Sequence, residues 1–455
     1  MKRKQFIFLL LAAGQGLCYL FLLSLGNLKE NIVLCEAGFF AAFILYWASL
    51  ALLNIKPAAR DRATTLPAVS GQSADSVYPT IFYIAGIIFF ACCFRFILWL
   101  STPTLSDDIY RYVWEGKIFA AGLNPFAHAP ADQALYAFRD KEIFPYINHQ
   151  ELSTIYPPLS LFIFRLCAKL SATVAAMKMT FILFDLLTIG ILFLILNAMH
   201  ISPLRVIIYA WNPLVIMEFA GSGHLDSAGI FFLMLALYLF ITGRRVSSTI
   251  ALTLSFLAKF LSGMFIPFVL GKRKILYLLI FGLLVGVCYV PFFSAGDKLF
   301  NSLLQYSQRW IFNASMYDLL MLLFQSNTKA RLAAAAILLA VFFVLLFKYS
   351  RQPADTRAVY IFSTVFVLMG CTFVFSPVLY PWYLCWIIPL MAIVPNRAWL
   401  MLSSSIFLSY LIWKGYVEAG IWQENMWVKF AEYVPFYGLL LYDGLRNFRQ
   451  KRYRL

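Results

Sequence analysis

The sequence predicts an all-α, polytopic integral membrane protein. Hydrophobic residues make up 62% of the chain and charged residues 13%, whereas a soluble domain carries about 25% charged residues. The apolar residues form continuous runs of roughly twenty, the length that spans a bilayer core, and they do not alternate as in a membrane β-barrel. The net charge of +16 comes mostly from short segments between these runs, which indicates cytoplasmic loops and not nucleic-acid binding.

The first three helices are predicted at about residues 6–25, 32–53 and 79–100. Lys2, Arg3 and Lys4 precede the first run, so we expect an uncleaved first helix with a cytoplasmic N-terminus. The polar, Ser- and Gly-containing segment 56–78 is predicted to be a flexible cytoplasmic loop. The third helix then carries the chain to the extracytoplasmic side.

Residues 101–155 form the longest non-spanning segment, and they contain seven of the chain's 21 acidic residues. Asp108, Tyr112, Glu115 and Phe119 recur at three- and four-residue spacing, which predicts one helix face. The sequence from Gly122 to Pro125 ends that helix. A second, amphipathic piece near residues 131–141 is expected to lie on the membrane surface.

The second half of the chain contains more apolar runs, which we treat with the first half as one transmembrane domain over residues 1–455. A polar loop is predicted at 294–329, and the basic residues of 446–455 predict a cytoplasmic tail. In the middle, the charge distribution fits only if some runs are half-helices or re-entrant segments, which are tolerated where they line a protein cavity. We therefore expect about 11–13 membrane helices, short or re-entrant segments included.

Three polar side chains, Glu218, His224 and Asp226, fall within nine positions of an otherwise apolar region. One interpretation is an ordinary turn between helices, with Asp226 as its N-cap. The other is a cavity that these residues share.

Lys259 lies within an apolar stretch, far in sequence from either loop. About 12 residues separate it from Ser247, or roughly 18 Å at the helical rise, so an anionic partner is expected. That partner is a phosphate group or a structural carboxylate. Arg309, in the predicted outer loop, is either a phosphate ligand or a solvated side chain.

Aromatic residues are concentrated near two proline-containing segments. Tyr380, Trp382 and Tyr383 lie beside Pro377 and Pro381, and Tyr156 precedes Pro157. They form either a binding surface for a sugar or part of the aromatic belt of membrane proteins.

Carboxylates, a lysine and aromatic rings on the outer face suit one reaction, glycosyl transfer from a lipid-linked sugar. A carboxylate takes the proton of the acceptor hydroxyl, and cations stabilise the leaving phosphate. Nucleotide sugars belong to the cytoplasm, so an outer site needs a donor carried in the membrane.

Several segments resemble bacterial α-mannosyltransferases of the GT-C superfamily. They are residues 106–116 (SDDIYRYVWEG), Asn124-Pro125, 156–159 (YPPL), 211–214 (WNPL), 221–226 (GSGHLD) and 381–383 (PWY). The resemblance implies inverting transfer of a hexose, with mannose expected, from a polyprenyl-phosphate donor. The acceptor would be a lipid-linked or envelope glycan, and the active site would lie on the extracytoplasmic face of the inner (plasma) membrane, in the catalytic loop 101–155.

The resemblance also assigns the general base, and the chemistry of the residues suggests the other site residues. Asp108 fits the spacing of the general base, although Tyr110 departs from the pattern of other members and leaves Asp107 as an alternative. Lys259, Arg309 and Arg111 are expected to bind the donor phosphate. The substrate cavity is expected to contain Tyr112, Glu115, Tyr156, Glu218, His224, Asp226, Tyr380, Trp382 and Tyr383.

No cofactor is firmly implied and no metal ligands are assigned. The adjacent acids could hold a divalent ion, but related enzymes often work without one. Two other functions remain open at this point, namely a transporter or flippase of a lipid-linked sugar and a structural subunit of an envelope-polymer complex.

Overall fold

The computed structural model describes residues 2–55, 74–270, 273–353 and 356–452. Regular structure in these residues is helical, apart from one backbone bridge between Phe312 and Val378. The first half contains α1 (Lys2–Ser24), α2 (Ile32–Leu52), α3 (Ala74–Trp99), α4 (Asp108–Ala120), α5 (Pro158–Leu170), α6 (Val174–Ala198), α7 (Pro203–Ala210), α8 (Pro213–Gly221) and α9 (Asp226–Ile241). The second half contains α10 (Arg245–Ala258), α11 (Phe260–Val269), α12 (Lys274–Tyr289), α13 (Asn301–Arg309), α14 (Met316–Phe324), α15 (Asn327–Ser350), α16 (Arg357–Phe375), α17 (Pro381–Met391), α18 (Arg397–Ala419) and α19 (Met426–Arg452).

Seven helical stretches in the described residues are long and apolar enough to cross a membrane. They are α1, α2, α3, α6, α15, α18 and the stretch Lys274–Arg309 that begins with α12. The prediction of a multi-pass, all-α membrane protein is therefore confirmed. The total of 11–13 remains a prediction, because it depends on which shorter apolar helices also span. The predicted loop 56–78 lies mostly outside the described residues, and α3 already begins at Ala74.

Two breaks interrupt the middle of the chain, as the charge distribution predicted. Helices α7 and α8 meet at an angle of 55°. Pro213 has no backbone N–H and suits a first helical turn, while the Asn212 side chain caps α8 by accepting from Leu214 N at 3.0 Å. The apolar stretch over residues 250–270 is also divided into two helices. Lys259 between them has an extended backbone (φ −156°, ψ 129°).

The outer segment has its predicted helix, α4, followed by a change of direction. Tyr112, Glu115 and Phe119 are buried on one face, and Gly122 follows the helix with φ 86°, a conformation that favours glycine. Near the predicted amphipathic piece at 131–141, the structure has only a short 3₁₀ helix, Gln133–Phe138.

The prediction of a polar loop over 294–329 is wrong. This segment contains α13 and α14. Helix α14 has the sequence MYDLLMLLF, in which apolar residues outnumber polar ones, and its short length hides it between the more polar residues that flank it.

Close packing of α4 on α5 positions the start of α4. A Cβ atom at Gly116 would lie 2.4 Å from the backbone oxygen of Phe164, so only glycine allows this approach. Tyr112 also stacks on Phe164, with ring centroids 4.8 Å apart. The N-terminus of α4, where Asp107 and Asp108 lie, is thereby fixed against the membrane helices.

Candidate active site

A cavity of about 810 Å³ opens at the N-terminus of α4. Most of the predicted site residues line it: Asp107, Asp108, Arg111, Tyr112, Tyr156, Asp226, Lys259, Arg309, Tyr380, Trp382 and Tyr383. One part of its wall is polar, and another is apolar, with Ala258, Phe260, Leu261 and Phe373. The structure therefore brings residues from distant parts of the chain to one cavity.

The two adjacent aspartates share one partner. The Asn148 side-chain amide donates to Asp107 Oδ1 at 2.8 Å and to Asp108 Oδ1 at 3.0 Å. The Asp108 side chain is 24% exposed, and it lines the cavity. Burial and, to a smaller extent, the neighbouring charge of Asp107 raise the pKa of Asp108 to about 6, against the opposing effects of Asn148 and Lys259. A carboxylate with this pKa is suited to accept a proton near neutral pH.

Arg111 lines the cavity, and its guanidinium also binds other parts of the protein. Its guanidinium donates to Glu115 Oε1 at 2.8 Å and to the backbone oxygens of Asn148, His149 and Leu152. These bonds hold the loop that carries Asn148 against α4. The guanidinium therefore has a structural task, and its binding of the donor phosphate stays a prediction.

Glu115 was predicted to lie in the substrate cavity, and the structure places it outside the cavity lining. Its side chain is 4% exposed and binds Arg111 and the Thr154 hydroxyl, which donates at 2.6 Å. It does not line the cavity. A carboxylate on the buried face of α4 pairs with the nearest cation, and here that cation is one helical turn away.

Lys259 lies at the break between α10 and α11 and reaches the cavity. Its ammonium donates to Asp226 Oδ1 at 2.5 Å and lies 4.0 Å from the ring centroid of Tyr383. The same Asp226 oxygen accepts from Trp386 Nε1 at 2.6 Å. The lysine is 25% exposed, whereas Asp226 is 1% exposed. Asp226 is thus an anchor for Lys259, and the interpretation as a simple helix cap is not supported.

Four rings form a stacked column along one side of the cavity. Phe312 stacks on Tyr380 with centroids 4.5 Å apart, Tyr380 on Trp382 at 4.3 Å, and Trp382 on His224 at 4.0 Å. The column extends from the segment after α13 to the residues before α9. Tyr380 and Trp382 each have another ring on both faces, so the column is a closely packed part of the cavity wall.

His224 and Glu218 lie behind the wall of the cavity and do not line it. His224 Nδ1 is 3.8 Å from Asp108 Oδ2, and Nε2 is 3.3 Å from Glu218 Oε2. Glu218 accepts from the Tyr410 hydroxyl at 2.9 and 3.1 Å, and Tyr410 does line the cavity. The predicted contact of these residues with substrate is thus corrected to a supporting position.

Arg309 is exposed and lines the cavity, so it is available to a ligand. In the part of the chain that the structure describes, no group of three His, Cys, Asp or Glu side chains is arranged to hold a metal ion.

Sequence reasoning missed four residues of the site. Asn148 bridges the aspartates, Trp386 binds Asp226, Tyr410 binds Glu218, and the Tyr306 hydroxyl is 2.8 Å from that of Tyr383. Asn148 and Tyr306 lie in segments without hydropathy or motif signals. The Pro-Trp-Tyr segment before Trp386 was the only local hint.

The sequence profile of a protein family, described as alpha-(1->6)-mannopyranosyltransferase, N-terminal domain, matches residues 37–272. That range is just over half of the 455 residues and contains both aspartates and Lys259. The chain belongs to this family. Searches of curated proteins and of solved structures gave no significant match.

Membership of the alpha-(1->6)-mannopyranosyltransferase family confirms the resemblance to bacterial α-mannosyltransferases and supports mannosyl transfer as the function. A mannosyltransferase family implies a sugar donor and an acceptor as substrates. The transporter and structural-subunit alternatives lose support, because the family is one of transferases.

Proposed function

We propose that this protein is a GT-C-type enzyme that transfers mannose from a polyprenyl-phosphate donor to a lipid-linked or envelope glycan acceptor. The reaction takes place on the extracytoplasmic face of the plasma membrane. The observation that carries the proposal is the cavity in which Asp108 and Lys259 both present charged groups, beside an apolar wall.

In this reaction Asp108 is the general base. It takes the proton of the acceptor hydroxyl, whose oxygen attacks the anomeric carbon of mannose with inversion. The bond between that carbon and the phosphate oxygen breaks, and polyprenyl phosphate leaves with the electron pair. A base in direct contact with the acceptor contributes about 10²–10⁴-fold to such a rate.

Lys259 and Arg309 bind the donor phosphate. Lys259 is held at its depth in the cavity by Asp226, so its ammonium need not be ordered when the phosphate arrives. The apolar wall with Phe260, Leu261 and Phe373 suits the first isoprene units of the lipid.

The test is an assay of purified protein with polyprenyl-phosphate mannose and a mannoside acceptor, followed by analysis of the products. We expect a new glycosidic bond, and we expect Asp108→Asn to reduce its formation by at least ~10²-fold. The matched control is Asp297→Asn, because Asp297 is exposed and outside the cavity. Parallel assays with a chelator and with added Mg²⁺ measure any dependence on a divalent ion.

Two results would contradict the proposal. Movement of the lipid-linked sugar across vesicles without a new bond would identify a transporter. Full transfer activity of Asp108→Asn would remove Asp108 as the base, and inactivity of Asp107→Asn alone would then move that role to Asp107.

A further inference from the structure

His224 lies between two carboxylates behind the cavity, and the reaction described above gives it no role. Its side chain is 1% exposed, and the Glu218 side chain is 0% exposed. Within the described residues, neither imidazole nitrogen makes a hydrogen bond of normal geometry, although each is within 4 Å of a carboxylate oxygen. Buried polar groups without partners are rare in folded proteins and call for an explanation.

The ring is fixed in its orientation. It stacks on Trp382 at an interplanar angle of 16°, and its backbone N–H donates to Glu218 O at 3.0 Å. Gly223 before it has φ 77°, and a Cβ atom there would lie 2.4 Å from the Ile109 side chain. In this orientation the two nitrogens face Asp108 and Glu218.

The surroundings of Asp108, His224 and Glu218 indicate which of these three groups carry protons. If both carboxylates were ionised and His224 neutral, the one ring nitrogen without hydrogen would point its lone pair at a negative charge. One further proton removes this repulsion. Placing this proton on Glu218 costs the least free energy, because Glu218 is fully buried. Its hydrogen-bond donor is the neutral hydroxyl of Tyr410, which compensates little of a full negative charge.

With Glu218 as the neutral acid, its O–H faces Nε2 and the imidazole carries its proton on Nδ1. That N–H faces Asp108 Oδ2, the oxygen to which Asn148 does not donate and to which the Tyr112 hydroxyl donates at 3.5 Å. The present separation of 3.8 Å is longer than a hydrogen bond, and a shift of about 1 Å when substrate fills the cavity closes it.

We propose that His224 is a positioning residue for Asp108, with Glu218 fixing which of its nitrogens carries the proton. The Asn148 amide holds Oδ1, and the imidazole N–H together with the Tyr112 hydroxyl holds Oδ2, so the remaining lone pairs of Asp108 face the acceptor hydroxyl. No proton passes through His224. This inference rests on the proposed function, in which Asp108 is the base.

Other charged and titratable groups also act on Asp108 or on His224. They are Asp107, Asp226, Lys259, Tyr112, Tyr156, Tyr306, Tyr380 and Tyr410. Because substitutions of His224 leave all of these in place, a change in the pH dependence of the variant reports on the His224 contact itself.

The experiment compares His224→Phe and His224→Asn with the unaltered protein. Phenylalanine keeps a flat ring on Trp382 but has no nitrogen, whereas asparagine keeps an N–H near the position of Nδ1. For His224→Phe we expect the acid limb of the pH–rate profile to move up by about one pH unit, since a donor to the ionised form of Asp108 is lost. For His224→Asn we expect the limb to return toward its original position.

Three further measurements separate positioning from a merely structural role. The KM for the donor should stay within about twofold in both variants, because uniform binding is not altered. Glu218→Gln, whose amide N–H replaces the acid O–H, should behave like the unaltered protein, and Glu218→Leu should shift the acid limb like His224→Phe. The matched control is His128→Asn, because His128 is partly exposed and pairs with Asp132 away from the cavity.

An unshifted acid limb in folded His224→Phe would overturn this inference. If that variant does not fold, the same outcome in Glu218→Leu overturns it. Asp108→Asn is assayed in parallel. If it is inactive while His224→Phe has an unshifted profile, only this inference fails, whereas activity of Asp108→Asn would overturn the proposed function itself.

Discussion

Asp108 and Asp107 are adjacent in sequence but differ in their surroundings. Asp108 contacts Asn148, approaches His224 and is partly open to the cavity. Asp107 binds Asn148 as well, and burial together with the charge of Asp107 raises the pKa of Asp108 to about 6. The difference favours Asp108 as the residue that exchanges a proton near neutral pH.

The pH dependence of transfer follows from this pKa. Asp108 must be ionised to accept a proton, so activity should be full above about pH 7 and fall as the pH drops through about 6, approaching tenfold per unit. Initial rates measured from pH 4.5 to 8 test this (roughly the range in which a carboxylate with such a pKa titrates). In Asp107→Asn the midpoint should move to lower pH, because a negative neighbour that raises the pKa of Asp108 is gone.

Recovery of the initial rate after return from low pH to pH 7 is the control for acid unfolding. A midpoint near pH 4 in the unaltered protein would show that Asp108 has an ordinary pKa and would contradict this prediction.

Lys259 combines a structural contact with a proposed catalytic one, and the two can be separated. Lys259→Met leaves Asp226 buried without its cation, so we expect a loss of stability somewhat below the roughly 3–5 kcal/mol seen for fully buried pairs. Adding Asp226→Asn should restore stability, because the orphaned charge is removed. It should not restore transfer, because the phosphate still lacks its ammonium.

Thermal unfolding in detergent measures the stability of these variants, and the donor assay measures transfer. If the double variant recovers activity together with stability, Lys259 has only a structural role.

At the scale of single elements, the end of α3 is held by a buried lysine. Lys178 in α6 is 1% exposed, and its ammonium donates to the backbone oxygens of Leu98 at 2.8 Å, Trp99 at 3.0 Å and Ser101 at 2.5 Å. Leu98 and Trp99 lie in the last turn of α3, whose carbonyls lack partners within the helix, and Ser101 follows that turn. Leu98 O also accepts from Ser101 N at 3.1 Å. The lysine thereby sets the direction in which the chain leaves α3 toward Asp107.

Lys178→Met should therefore affect both stability and the site. Each buried carbonyl that loses its donor costs about 1–3 kcal/mol, so we expect the Tm in detergent to fall by several degrees and transfer to weaken with it. Lys169→Met is the matched control, because Lys169 is exposed at the end of α5. Equal Tm values for the two variants would show that the cap contributes nothing.

The breaks in the middle helices serve the site directly. An unbroken helix through residue 259 would direct that side chain by helical periodicity alone, whereas the extended backbone at Lys259 lets the ammonium reach Asp226. Helix α8, which follows the bend at residues 211–212, ends at Gly221, shortly before His224. Irregular backbone at membrane depth is tolerated where it is buried in protein or lines a cavity.

For the whole molecule, a buried ion pair ties the N-terminal helices to the rest. The Arg95 guanidinium of α3 binds both carboxylate oxygens of Asp185 in α6, at 2.5 and 3.2 Å, and donates to Ala210 O in α7 at 2.8 Å. Both side chains are at most 1% exposed. Such a bidentate pair fixes the relative position of three helices.

The orientation in the membrane is a prediction at this scale. Tyr146 belongs to the segment that we expect outside, and Arg446 to the tail that we expect inside. Both are exposed. A membrane-impermeant maleimide should label Tyr146→Cys in intact cells, whereas it should label Arg446→Cys only after permeabilisation.

The unaltered protein, with its eight cysteines, provides the background for this labelling. The opposite pattern would place the cavity in the cytoplasm and remove the reason for a lipid-linked donor.

The sequence by itself determined the membrane class, the helix at Asp108 and the motifs that identify the family, because hydropathy and helical periodicity are local properties of the chain. Only the tertiary structure decided that Arg111 binds the backbone of residues 148–152, that Asn148 bridges the aspartates, and that the rings at 224, 312, 380 and 382 form one stacked column. Side chains separated by many residues become neighbours only through packing, and a charged side chain binds whichever partner that packing brings nearest. No pattern along the chain records that choice.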